Sequence, residues 1–188
     1  EEPDDDRNMH YLGREYMYRG RWDDCIRTLE KHLAMASARW EDERAASMRY
    51  IARSYLMKGE RKKAREWYLK AIVQAPHLRE PYTDLAHALY EEENWEGVLY
   101  FTECALAITH RPATYICEAA AWGSLPHDLR AMAFFRTGRP GDALEEAMKA
   151  LALAPGDKRL LGNVRALEKK AGACILESNT GPGAAVTQ

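Results

Sequence analysis

Residues 49–78 read RYIARSYLMKGERKKAREWYLKAIVQAPHL, and their spacing decides the fold. Ile51, Ala52 and Tyr55 recur at the intervals of one helix face. Gly59 then interrupts, Ala64, Tyr68 and Ala71 mark a second helix, and Pro76 ends it. The same frame returns with an offset of 34 residues: Tyr55 falls on Leu89, Gly59 on Glu93, Ala64 on Val98, Ala71 on Ala105 and Pro76 on His110. The opening of the chain fits it through Leu12, Gly13, Tyr16, Gly20, Cys25 and Leu29. Ala131, Phe134, Gly138, Ala143, Ala147, Ala150 and Pro155 fit it near the end. Four helix–turn–helix units are therefore expected, at 6–39, 45–78, 79–112 and 124–157, with insertions near 40–44 and 113–123.

Small residues at Gly13, Ala52, Ala86 and Ala131 let paired helices approach, and Tyr16, Tyr55, Leu89 and Phe134 fill the space beside them. Each helix alone hides one stripe, so the units must stack to bury a continuous core. Gly20, Gly59 and Gly138 stand where a first helix must end in a left-handed residue, with Asn94 expected to serve in the third unit. His32 and Thr102 fit the small and aromatic positions poorly. The second insertion is expected to extend a helix to Trp122, stop at Gly123 and restart after Pro126. Residues 158–171 read as a capping helix with Leu160, Leu161, Val164 and Leu167 on one face and Asp157 at its start. Residues 1–5 form an acidic lead, and 172–188 a small, polar, flexible tail.

Composition narrows the function classes. The chain has 188 residues, 46% hydrophobic and 30% charged, with a net charge of −2. That balance suits a soluble globular chain and gives no reason to expect nucleic acid or an anionic membrane as partner. No apolar run approaches the ~20 residues of a membrane helix. Cys25, Cys104, Cys117 and Cys174 are unpaired in spacing, so reduced thiols and a cytoplasmic location are expected. The chain opens EEPDDDRN, without an initiator Met or an apolar lead, as a processed chain or a piece of a longer one would. No phosphate loop, nucleophile elbow or zinc-protease motif occurs, so no catalytic residue, cofactor or metal site is assigned. The D-x-D at Asp4–Asp6 precedes a helix rather than ending a strand, which makes it a solvated acidic start.

The frame resembles the tetratricopeptide (TPR) signature, W-x2-L-G-x2-Y, then A-x3-F, then P. The resemblance implies an all-α, right-handed superhelical solenoid of about four repeats plus the capping helix, built for protein interaction. Four blocks are more specific: Arg7/Tyr11/Leu12/Arg14/Glu15/Tyr16, Arg79–Tyr82, Trp122/Gly123/Pro126/Asp128 and Asp157/Arg159/Leu160/Asn163. They resemble the TPR region that follows the catalytic domain of certain bacterial and phage family 2 glycosyltransferases. That likeness implies an accessory, non-catalytic domain that holds an acceptor, dimerises or packs on its catalytic domain, which would lie before Glu1.

In such arrays the first helices line an inner groove. Here they would present Arg7, His10, Arg14, Met17, Tyr18, Arg49, Arg53 and Leu56, then Glu80, Thr83, His87 and Tyr90, then Asp128, Met132, Phe135 and Arg136. The candidate binding residues are Arg7, His10, Arg14, Arg49, Arg53, Glu80, His87 and Tyr90. Four arginines in the first half suit an acidic peptide, a carboxylate or a phosphate. Equally, they would pair with Glu15, Glu43 or Glu80 and merely solvate a helix face. The partner is thus a protein or peptide, or the acceptor of an attached glycosyltransferase. A stand-alone adaptor and a homo-oligomer are the alternatives.

Overall fold

The computed structural model describes residues 5–179, and for 171–179 the helical backbone alone. Among the described residues the secondary structure is helical throughout. Asp6–Tyr18 (α1) pairs with Trp22–Ala34 (α2), Glu41–Met57 (α3) with Arg61–Gln74 (α4), and Arg79–Glu91 (α5) with Trp95–Ala107 (α6). After a single turn at Ala119–Trp122 (α7), Leu125–Arg136 (α8) pairs with Pro140–Leu153 (α9), and Lys158–Asn179 (α10) packs on α9. The first helices also touch in series, α1 on α3, α3 on α5 and α5 on α8.

Close approach inside a hairpin has a visible cause. A methyl group on Gly13 would fall 2.3 Å from a Leu29 side-chain carbon, so α1 and α2 meet at a distance only glycine permits. The buried core runs from Met17, Cys25, Leu29 and Ile51 through Ala52, Tyr68, Leu85 and Val98 to Ala131, Phe134 and Ala147. At the far end Leu160, Val164 and Leu167 of α10 close it. Leu161, expected on the same stripe, is 36% exposed because the buried row follows the i, i+4, i+7 spacing. Asp157 caps α10 as expected, accepting from the Arg159 and Leu160 amides at 2.8 and 3.3 Å.

The turns repeat one motif. Arg21, Glu60, Asn94 and Arg139 each donate their amide to the carbonyl five residues back, at 2.9 Å in every case. These are Schellman closures, whose C′ residue must be left-handed. Gly20, Gly59 and Gly138 have φ of 68°, 78° and 76°. In the third turn the left-handed residue is Glu93, with φ 55°, not Asn94. Asn94 instead begins α6 as its cap, accepting from the Gly97 amide at 3.0 Å.

Both insertions differ in kind from the repeats. Residues 41–44 are the first turn of α3, which reaches 17 residues where α1 and α5 have 13. Residues 108–118 do not extend a helix; they form an irregular strap leading into α7, and α8 starts at Leu125 with Pro126 in its first turn. Pro112 inside the strap lacks the amide that a continued helix requires. Asp5 caps α1, while Asp4 and the rest of the acidic lead lie outside the described residues. The tail, expected from 172, is helical to Asn179, consistent with the absence of a strong breaker before Gly181-Pro182. Residues 180–188 lie outside the described residues.

Candidate binding groove

The strap determines what the groove can hold. It folds back across the first helices, so that Ile116 is buried in one cluster with Met17, Tyr50 and Ile51, more than sixty residues earlier in the chain. Tyr115 donates its hydroxyl to Glu43 and lies against the rings of Tyr11 and Trp40, each 5.6 Å away between centroids. The two insertions therefore meet: residue 43 comes from the first and residue 115 from the second.

The strap is fastened at its other end by the start of α5. Arg79 lies over the Trp122 ring at 4.0 Å and donates through Nε to the Ile108 carbonyl at 3.1 Å. Glu80, 2% exposed, accepts from the Trp122 indole at 2.9 Å and from the Glu118 amide at 3.0 Å. Arg49, 1% exposed, reaches Asp84 at 2.8 Å and Glu118 at 3.0 Å. Arg53 reaches the same two carboxylates at 2.9 and 2.7 Å. Burial pushes the Asp84 carboxyl up, but Arg49 and Arg53 more than offset that and hold it below its ordinary 3.8. The guanidinium groups stay charged, and their positive charge is answered inside the molecule.

The predicted binding residues thus separate into three groups. Arg49, Arg53 and His87 line one cavity of about 300 Å³ with Asp84, Glu118 and Leu125. His87 and Tyr90 continue into a neighbouring cavity of about 420 Å³ with Asp128, Met132, Arg159 and Asn163. Glu80 holds the strap. Arg7, His10 and Arg14 stand apart beyond it. Arg7 is exposed and 3.9 Å from Glu43, and Arg14 lies over the Tyr11 ring at 5.0 Å.

His10 departs from its expected place on the open groove. It is fully buried, with Nδ1 2.7 Å from Ser47 Oγ. Ser47 Oγ is also 3.0 Å from Nδ1 of His32, which is likewise fully buried. Burial pushes the His10 imidazole down to about 4, against the pull of Glu43, so it is neutral at neutral pH. His10 shares its helix face with the buried Gly13 and Met17. It packs against His32 of α2 and Ser47 and Tyr50 of α3, which makes it a core position, with the Tyr115 ring of the strap 6.3 Å away.

Sequence reasoning missed Asp84, Glu118 and Tyr115, and named Glu43 only as a partner for the arginines, of which Arg7 stands 3.9 Å from it. Asp84 was within reach of it, lying four residues after Glu80 and three before His87 on one helix face. Glu118 and Tyr115 sit in a segment with no period to follow.

No family model matches the sequence, and no curated protein matches it. Solved structures do. PilF of Pseudomonas aeruginosa has a TM-score of 0.71 at 19% identity, covering 90% of this chain and 70% of that one. MamA protein follows the chain with a TM-score of 0.68 at 17% identity, over 89% of this chain and 82% of that one. The first TPR of Spaghetti (RPAP3), solved bound to the HSP90 peptide SRMEEVD, has a TM-score of 0.60 at 16% identity, over 70% and 95%.

The fold is thereby fixed. It is an all-α, right-handed superhelical stack of the tetratricopeptide type with a capping helix. At these identities the likeness is one of fold. No helix among the described residues is long and apolar enough to cross a membrane.

Proposed function

We propose that the chain is a non-catalytic binding module that holds a protein or peptide partner in the C-terminal half of its groove. In that reading the units at 6–39, 45–78, 79–112 and 124–157 are the scaffold. The observation that carries it is the run of joined cavities along α5 and α8. The 300 and 420 Å³ spaces share His87 and Leu125, and a third of about 350 Å³ shares Tyr90 and Met132 with the second. Such volumes suit successive side chains of an extended segment.

An acidic ligand is favoured. Glu118 seated on Arg49 and Arg53 is an internal example of a carboxylate held in this groove. Arg159, 59% exposed, carries a guanidinium at the open end, where it pairs with Asp128 at 2.8 Å and keeps its outer face to solvent. The Spaghetti neighbour, whose peptide reads SRMEEVD, supports the same class of partner. Titration of labelled acidic, neutral and basic heptapeptides by fluorescence anisotropy tests this. Acidic peptides are expected to bind, and His87→Glu and Arg159→Glu to weaken them roughly tenfold or more. Acidic peptides that fail to bind, or that ignore both substitutions, exclude the reading.

A finer reading is that the module serves a family 2 glycosyltransferase as its accessory domain. Its support is that the blocks carrying that resemblance touch one another. Arg79 and Glu80 hold Trp122, while Asp128 accepts from Arg159 at 2.8 Å and lies 3.4 Å from the Asn163 amide nitrogen. The coding sequence upstream of Glu1 decides it: α/β sequence with a D-x-D supports attachment, and a start codon supports a stand-alone adaptor. Light scattering over a concentration series tests self-association, which a constant monomer mass excludes.

A further inference from the structure

We infer that His32, Glu43 and Asp6 form a site for one divalent transition-metal ion of the zinc type, beneath the strap. Each comes from a different helix: Asp6 from the first turn of α1, His32 from the last turn of α2 and Glu43 from the added turn of α3. One oxygen of each carboxylate and one nitrogen of His32 lie within 4.8 Å of one another. Ligand atoms around a tetrahedral ion stand roughly 3.3–3.5 Å apart, given bonds of ~2.0–2.2 Å. Small side-chain rotations therefore close the set, and His32 Nε2 is already 3.4 Å from Glu43 Oε1.

A second observation points to a ligand. His32 is fully buried, yet its Nε2, 3.4 Å from Glu43 Oε1, has no hydrogen-bond partner within ordinary geometry among the described residues. Its Nδ1 faces Ser47 Oγ at 3.0 Å, and the same hydroxyl faces His10 Nδ1 at 2.7 Å. A serine hydroxyl has one proton and two lone pairs. If it donates to His10 and accepts from His32, the His32 proton sits on Nδ1 and Nε2 carries a bare lone pair. That lone pair faces the carboxylates of Glu43 and Asp6. Three electron-rich atoms then converge within 4.8 Å of one another, the arrangement a cation relieves.

The surroundings complete the case. A hydrogen bond on the far ring nitrogen is the usual support of a metal-bound histidine. The Tyr115 hydroxyl fixes the second oxygen of Glu43. Asp6 is half-buried and gives the ion a path in from solvent. Arg7, 61% exposed on its side chain and 3.9 Å from Glu43, can swing outward as an ion enters. One nitrogen and two oxygens favour zinc or cobalt(II) over calcium or magnesium, with water as fourth ligand.

The test uses tag-free full chain, stripped with chelator and titrated with zinc by calorimetry and with cobalt(II) by absorption. One ion per chain is expected, with a cobalt spectrum of nitrogen and oxygen ligands and a raised melting temperature. Asp6→Asn alters a half-exposed side chain without emptying the core, and is expected to weaken binding at least tenfold. Ser47→Ala removes the support of His32 and is expected to weaken it roughly ten- to a hundredfold. Absence of stoichiometric binding overturns the site, as does binding indifferent to both substitutions. A thiolate-to-cobalt charge-transfer band would place the ion on cysteine and overturn it equally.

Discussion

The two halves of the groove are built from the same repeat and do opposite things. In the N-terminal half the chain supplies its own occupant: Tyr115, Ile116 and Glu118 of the strap lie on α1 and α3, and Arg49 and Arg53 are satisfied by Glu118 and Asp84. In the C-terminal half the corresponding face of α5 and α8 is left as joined cavities with His87, Tyr90 and Met132 on their walls. The repeat thus supplies a surface, and departures from the repeat decide what the surface is for. Basic residues that read as a docking site for a partner instead dock the chain's own acid.

The sharpest way to break this contrast is to remove the buried cation at the seam. Arg49→Met leaves Asp84 and Glu118 with Arg53 alone. Breaking a buried pair on one side typically costs about 3–5 kcal/mol, and the remaining arginine puts the expected loss near 3. Urea unfolding measures it. An acid series adds a signature: the folded Asp84 value lies below 3.8, so its contribution is present above 3.8 and is lost as pH falls through the lower, folded value. The substituted chain should show less of that loss. A cost under about 1 kcal/mol would mean the network is solvated surface rather than the lock of the strapped half.

How far the sequence foretells this depends on period. Helices, stacking order, the glycine turns and the Asp157 cap all follow from spacing, because a helix hairpin repeats its requirements with each copy. Asp84 is legible for the same reason once α5 is drawn as a wheel. The contact of Glu43 with Tyr115 is not: each residue belongs to an insertion, and their meeting across 72 residues depends on how the strap folds back. His10 is legible in the same way as Asp84: its helical phase sets it with Gly13 and Met17 on the buried stripe of α1, against the rings of His32 and Tyr50.

A milder perturbation loosens the strap without removing it. Tyr115→Phe deletes the hydroxyl that Glu43 accepts from and keeps the ring against Tyr11 and Trp40. A hydrogen bond to a charged group contributes about 1.5–3 kcal/mol, so a loss near 2 kcal/mol is expected. Local opening should exceed it in sensitivity: cleavage after half-buried Glu118 by a glutamate-specific protease should accelerate, while sites in the helices change little. Unchanged cleavage would show that Ile116 burial alone holds the strap, and that the tyrosine–carboxylate contact serves some other purpose.

The smallest effect tests the open half on its own terms. Glu93 holds a left-handed conformation that three sister turns assign to glycine. An L-residue there costs about 1–2 kcal/mol, offset in part by the ~0.5–1 kcal/mol that glycine loses on ordering. Glu93 also meets Arg136 at 3.0 Å, an exposed pair contributing about 0–1 kcal/mol. Glu93→Gly is therefore expected to stabilise by about 0.5 kcal/mol, whereas Gly59→Ala, at a φ of 78° in open space, should cost about 1 kcal/mol. The opposite signs are the decisive readout, measured as paired melting curves. If Glu93→Gly destabilises instead, the Glu93–Arg136 pair outweighs backbone strain. The rim of the third cavity is then held by charge rather than by its turn.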